Sequence, residues 1–206
     1  NGLRSVLRKK VFYDMLAREN ADVVCISEAR WSWDQAARDK QFLSTLRDMG
    51  YISVTWHQCA DNAGYSGVVV LSKIITGKVR KGVGDPQIDK EGRVITVEFD
   101  TFTLIHSYTP CIGLDLKRAP KRKSFDKAMD SHLQACRESG KPCIWTGDLN
   151  VASRGEDCFE RDPAKAGVIP GCTKEERDRF HAILERHQLV DGFVHLNGNV
   201  TRDHWT

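Results

Sequence analysis

Lys141–Ala152, KPCIWTGDLNVA, is the stretch from which the rest of the chain can be read. Its apolar run Cys143-Ile144-Trp145 ends in Gly147-Asp148-Leu149-Asn150, so a buried strand delivers a carboxylate and an amide to its own tip. In a twisted α/β sheet, ligands bind outside the strand ends, and a polar pair placed there is a site candidate. Asp148 and Asn150 are spaced by two, and on an extended backbone such residues point the same way. A carboxylate can take a proton while an amide orients the same substrate group. Gly, Asp and Asn are also turn formers, so a strand followed by a plain turn is the alternative reading.

The elements around this stretch follow from periodicity. Ser124–Arg137 places Phe125, Ala128, Met129, His132, Leu133 and Cys136 on one helical face. Val94–Phe99 and Phe102–Tyr108 flank Asp100-Thr101 as a hairpin, and Pro110 stops the second strand. Gly64-Tyr65-Ser66-Gly67 opens a buried strand at Val68–Leu71, and the apolar run Ala21–Ser27 reads as another that ends at Glu28. Apolar pairs at helical spacing predict one amphipathic helix over residues 5–18, with a second at Gln41–Met49 and a strand at Tyr51–Trp56. Thr173-Lys174-Glu175-Glu176 has capping-box spacing and opens a helix through Phe180, Ile183, Leu184 and His187. The Gly82–Gly92 connection lies between strands, and no repeat or low-complexity linker divides the chain. Mixed helices and largely antiparallel strands predict a layered α/β sandwich.

Composition sets wide bounds. A chain of 206 residues, 40% hydrophobic and 29% charged, fits one domain, residues 1–206, with a core of its own. The net charge of +3 permits an anionic partner without demanding one. Seven scattered cysteines with no CxxC pair read as reduced, mostly structural thiols of an intracellular protein, and nothing has zinc-ligand spacing. No apolar run approaches the roughly 20 residues of a membrane span, and no signal peptide is visible. The chain opens on Asn1 instead of Met and stops at His204-Trp205-Thr206, so it reads as a piece cut at both ends.

Three apolar runs end in the same sort of group. Glu28 closes the first, Tyr108 the second, and Asp148 with Asn150 the third. Carboxylates beside a hydroxyl and an amide suit a magnesium ion, which prefers oxygen ligands and keeps several waters. They also suit phosphoryl chemistry, in which an acid activates the attacking water.

The segments DVVCISEAR, GYSGVVVLSK, EGRVITVEF, LIHSYTPCIG and WTGDLNVA resemble, in order, the exonuclease III-like abasic-site (AP) endonucleases of the endonuclease/exonuclease/phosphatase superfamily. The resemblance implies a four-layer α/β sandwich with two central, largely antiparallel mixed sheets flanked by helices. It also implies magnesium-dependent cleavage, with manganese as a substitute, of double-stranded DNA on the 5′ side of an abasic site. A 3′–5′ exonuclease or 3′-phosphodiesterase activity would accompany it. By this resemblance Glu28 binds metal and Asn1 helps organise the metal region. Tyr108 stands near the scissile phosphate, Asp148 activates water, and Asn150 orients it. Asp157 matches an acid whose role here is read as structural. Arg118 matches an arginine inserted beside the extruded nucleotide, and Tyr65 and Arg93 match positions near the DNA backbone. Lys117–Lys123 carries five cations in seven residues, so Lys117, Lys121 and Arg122 are expected to touch phosphates as well. An abasic nucleotide has no base to hold it in the stack, which makes extrusion cheap. A monomer is expected, nuclear in a eukaryote and otherwise cytoplasmic, with no membrane partner.

The chain also departs from the family. Cys111 stands where the family has a phosphate-contacting asparagine, and a thiol is the poorer donor. The neighbours of Glu28 differ, and His204 falls about where the family places an aromatic of the abasic pocket. No histidine present matches the family's catalytic one: His132 and His187 read as apolar helix faces, His57 and His106 as strand residues. A full-length parent is therefore expected to be active, and these 206 residues alone largely inactive and poorly folded, with strand edges unpaired. The competing readings are a retrotransposon-type target-nicking endonuclease, an inositol-phosphate or sphingomyelin phosphodiesterase, and a non-catalytic DNA-binding relative.

Overall fold

A computed structural model describes residues 2–9, 11–160 and 162–198. The chain enters through α1 (Leu3–Leu7) and α2 (Val11–Glu19), then β1 (Val23–Ile26), α3 (Trp33–Arg38) and α4 (Lys40–Asp48). Next come β2 (Ser53–His57), β3 (Val68–Ser72), β4 (Val79–Lys81), α5 (Pro86–Asp89), β5 (Val94–Glu98) and β6 (Thr103–Tyr108). The long α6 (Ala119–Arg137) leads to β7 (Cys143–Asp148), followed by α7 (Pro163–Ala166), α8 (Lys174–Arg186) and α9 (Gly192–Asn197).

The described chain clusters into two compact units. One holds the residues up to Tyr108 together with Glu138–Asp148; the other holds Thr109–Arg137 and the residues from Leu149 onward.

The first unit contains two sheets, ordered β1-β3-β2 and β4-β5-β6-β7. Every pairing is antiparallel except that of β6 with β7. Strand β3 explains why Val68–Leu71 is apolar without alternation. Val69 and Leu71 face a core with Phe12, Leu16, Phe42 and Trp56, whereas Val68 and Val70 pack with Ile95, Val97 and Leu104 of the other sheet. A strand covered on both faces has no polar side to show. Ser32 and Asp39 cap α3 and α4 by accepting from the backbone N–H of Gln35 and Phe42.

Several expectations change here. The single helix read over residues 5–18 is two, because the α1 C-terminus falls at Arg8-Lys9, where cations complement the carbonyl end of a helix. Periodicity survives the break because Leu3, Phe12 and Leu16 enter one core. Strand β7, read as buried, is an edge strand among the described residues, with Ile144 48% exposed. An apolar run does not separate an edge position from a central one.

In the second unit α6 and α8 are joined by polar rungs. Arg122 meets Glu176, Asp126 meets Arg179, Asp130 meets Arg186 and His187, and Arg137 meets Gln188. Thr173 caps α8 as its spacing predicts, and its hydroxyl donates to Glu176. Helix α6 begins at Ala119, earlier than the expected Ser124, with Pro120 in the first turn, where a missing N–H is harmless. Cys158 and Cys172 form a disulfide, which corrects the reading of seven reduced thiols. Cys25, Cys59, Cys111, Cys136 and Cys143 remain thiols outside any disulfide. Both bridged cysteines are buried with Ala152 and Ala166, a proximity created by the fold of the intervening segment and invisible in their spacing. Among the described residues no helix is long and apolar enough to cross a membrane.

Candidate active site

In the first unit the ends of β1 and β6 converge on one hydrogen-bonded tier. Just past β1, Glu28 adopts a left-handed backbone (φ 54°), and Arg30 does the same (φ 46°). The turn is pinned by the backbone N–H groups of Ala29 and Arg30, which donate to Gly67 O and Ser66 O at 2.9 and 3.0 Å. The GYSG segment therefore fixes where Glu28 stands. The Tyr108 hydroxyl donates to Glu28 Oε1 in a short hydrogen bond, and Arg30 Nη2 donates to the same oxygen at 2.7 Å.

Behind Tyr108 lies Arg93, only 3% exposed. Its guanidinium sits 4.7 Å from the Tyr108 ring centroid and 5.4 Å from that of Tyr65. It donates to Tyr65 Oη at 2.7 Å, to Tyr108 O at 3.0 Å and to Glu91 Oε2 at 2.7 Å. Arg93 was expected at the DNA backbone. Burial and a guanidinium bonded to three protein groups make it instead the clamp that sets both tyrosines. Asp148 is the register partner of Tyr108 across the parallel β6–β7 pair and is exposed at the strand end. Gly147 allows that pairing, since a Cβ there would lie 1.9 Å from Ser107 O.

The electrostatics of the tier are unequal. Burial works against ionisation of Glu28, but the hydrogen bonds from Tyr108 and Arg30 and the Arg30 charge outweigh it, holding the carboxyl below its ordinary value of 4.5. Tyr108 is pushed well above the ordinary phenol value, first by burial and then by its bond to Glu28, so it stays a neutral donor. A depressed carboxyl contributes stability above its ordinary pKa and loses it as pH falls through the folded value. Tyr108→Phe is expected to raise the Glu28 pKa and shift this acid-side loss to higher pH. A side-chain carboxyl NMR titration checks it, and an unmoved midpoint would refute the coupling.

In the second unit Asn150 has φ 47°, so the extended backbone expected there does not continue through it. Its Nδ2 donates to Thr109 O at 2.7 Å. Arg118 is exposed and lies over Gly113, whose added Cβ would fall 2.8 Å from Arg118 Nη2. Lys117 is exposed and paired with Asp115 at 3.0 Å; Lys121 is half-buried. Arg122, expected at a phosphate, is 2% exposed and bonded inside the unit, which corrects that expectation: its position on α6 turns it inward. Asp157 is buried against Arg154 at 2.6 Å, a structural role. Asn1 and His204 lie outside the described residues. Arg30 was missed as a site residue, although its place two residues beyond Glu28 was the available signal.

The profile of the Endonuclease/Exonuclease/phosphatase family matches residues 1–193. The chain belongs to the endonuclease/exonuclease/phosphatase family. Within that family it is 35% identical over 196 residues to an exodeoxyribonuclease of Bacillus subtilis (strain 168), covering 95% of this chain and 72% of that protein. It is 34% identical over 199 residues to the DNA-(apurinic or apyrimidinic site) endonuclease of Dictyostelium discoideum, covering 95% and 51%. The DNA repair nuclease APEX1 of Danio rerio is 33% identical over 197 residues, covering 95% and 60%. The chain thus spans only about half to three-fifths of the latter two relatives. Among solved structures, an AP endonuclease from Archaeoglobus fulgidus superposes with a TM-score of 0.72 at 21% identity, covering 90% of this chain and 67% of that one. A 3′-5′ exonuclease from Neisseria meningitidis gives 0.69 at 21%, covering 89% and 67%. At that identity the likeness establishes the fold, and the expected two-sheet α/β architecture of the family is borne out.

Among the described residues no three His, Cys, Asp or Glu side chains gather as a ligand cage. Magnesium does not need one, because it keeps several waters and takes one or two carboxylates. Glu28 suits that demand: it is held ionised, and both of its hydrogen bonds end on Oε1.

Proposed function

We propose that these residues belong to a DNA-repair phosphodiesterase that hydrolyses the backbone of double-stranded DNA on the 5′ side of an abasic site. The observation that carries this reading is the tier Arg30–Glu28–Tyr108–Arg93–Tyr65, with Asp148 level with Tyr108 at the next strand end. The names of the relatives, exodeoxyribonuclease and AP endonuclease, support the substrate.

Glu28 would hold magnesium, or manganese in its place, which when bound would neutralise charge on the phosphate. Tyr108, a neutral phenol at physiological pH, holds its proton for a phosphate oxygen or for Glu28. Asp148 takes the proton of the attacking water as the water oxygen bonds to phosphorus, and the P–O3′ bond breaks. The leaving 3′ oxygen is protonated from solvent to a 3′-hydroxyl, and the Asn150 amide orients the phosphate being attacked. Arg118 and Lys117 are the exposed cations for the flanking backbone, a contribution that weakens with salt.

The test is incision of a duplex carrying one abasic analogue by the full-length parent protein, with and without magnesium, beside an intact duplex. Magnesium-dependent incision 5′ to the analogue is expected. Equal incision of intact DNA would replace this reading with a target-nicking nuclease, and binding without incision would replace it with a non-catalytic relative.

A further inference from the structure

We propose that Arg122 is a positioning residue: a buried strut that fixes the backbone at Asn150 and the loop that receives the Asn150 amide. The inference rests on the role given to Asn150 above and adds the device that holds it.

Arg122 belongs to the largest fully buried side chains of the molecule, yet it carries five N–H donors in a rigid fork. Those donors are distributed over the second unit. Nη1 donates to Asn150 O at 2.8 Å and Nη2 to Leu149 O at 3.2 Å. Nε donates to Asp126 Oδ1 at 2.8 Å, and Nη1 also lies 3.5 Å from Pro110 O and from Glu176 Oε1. Glu176 is itself fixed, because its Oε2 accepts from Gly171 N at 2.8 Å and from Thr173 Oγ1 at 2.7 Å.

One guanidinium therefore touches the segment after Asp148, the loop after Tyr108, and α8. The loop after Tyr108 is the one whose Thr109 carbonyl accepts the Asn150 side-chain amide. Backbone and side chain of Asn150 are thus both referred to Arg122. This matters because the left-handed backbone at φ 47°, which asparagine tolerates better than other side chains do, sets the direction of the Asn150 amide, and the strut holds that backbone by its carbonyl.

Stability alone does not account for the arrangement. A buried ion pair can often be replaced by apolar side chains of similar volume at little cost. What no apolar group supplies is the set of donors to the carbonyls of residues 149, 150 and 110. The function of the strut is therefore geometric, and it should be separable from its contribution to folding.

The experiment uses the full-length parent protein with Arg122→Lys, the apolar pair Arg122→Met with Glu176→Met, and Asn150→Ala. It reads kcat and KM on the abasic duplex, Tm, and the backbone amide NMR signal of residue 150. Arg122→Lys is expected to lower kcat about a hundredfold, the loss that an ångström of misplacement can cause, with KM unchanged. The apolar pair leaves the carbonyls of residues 149, 150 and 110 and the Gly171 N–H without their partners, so its Tm should fall. The same loss of kcat should be seen at a temperature well below that lowered Tm. Adding Arg122→Lys to Asn150→Ala should cost nothing more, since residues acting as one unit are not additive. Wild-type kcat in either Arg122 variant, or losses that multiply, would overturn the proposal. If Asn150→Ala itself keeps full kcat, the role given to Asn150 fails, and the strut is then judged on the amide signal. A shift of that signal in Arg122→Lys supports the strut, and an unmoved one overturns it.

Discussion

Asp148→Asn is expected to lower kcat for incision by about 10²–10⁴-fold, the range that a positioned general base supplies. The substitution keeps the shape of the side chain and removes its capacity to take a proton. Asp148 is the last residue of β7 and is exposed, so the exchange should leave the sheet and Tm essentially where they were. Its neighbours also stay in place: Tyr108 keeps its bond to Glu28, and Arg93 keeps its grip on both tyrosines. Single-turnover incision at saturating duplex, alongside a thermal melt, separates chemistry from binding and folding. A rate within about threefold of wild type, well below what general-base catalysis provides, would remove Asp148 from the mechanism. A collapse of Tm would instead make it a structural acid.

Gly147→Ala should be the most damaging single-methyl change in the first unit, costing about 4 kcal/mol or more, a size reserved for a few mechanisms. Gly147 has φ 134°, and its absent Cβ would fall 1.9 Å from Ser107 O and 2.9 Å from Ser107 C. Both atoms are backbone of the paired strand, so no rotamer change relieves the contact. The end of β7 must leave β6, carrying Asp148 out of register with Tyr108. Gly140→Ala is the control. Gly140 has φ 79° with nothing within 4 Å of its would-be Cβ, so it should lose only the roughly 1–2 kcal/mol of a left-handed residue. Denaturant unfolding of the two variants compares them directly. Equal midpoints would mean that the close approach at Gly147 has no cost.

Which parts of this were legible in the sequence follows from what each signal reports. Apolar period identifies faces, so the Val68–Leu71 strand, the hairpin ending at Tyr108 and the capped helix after Thr173 could be read directly. The same signal ran residues 5–18 together, because two helices that enter one core preserve the period across their junction. Strand-end polarity identified Glu28, Tyr108 and Asp148. It could not say that Glu28 and Tyr108 share a hydrogen bond, a fact of packing between residues 80 positions apart. Charge was the poorest guide. Lys117–Lys123 is one run by composition, but the helix beginning at Ala119 turns Arg122 inward while Lys117 and Arg118 stay outside. Arg93 misled for the same reason, since a cation flanked by two tyrosines and a glutamate in space looks in sequence like any surface arginine. The Cys158–Cys172 bridge left no trace in spacing, because the fold of the residues between them is what brings the two sulfurs together.

The division of the chain has a consequence for its synthesis. The first unit is completed by β7, which the ribosome delivers only after α6, an element of the second unit. At about 5–20 residues per second, β6 waits on the order of seconds for its parallel neighbour. During that interval its edge is open and Tyr108 has no register partner. Neither unit corresponds to an uninterrupted reading frame, so neither can be lifted out by a single pair of cuts in the gene. Any shortened version must keep the order of the whole.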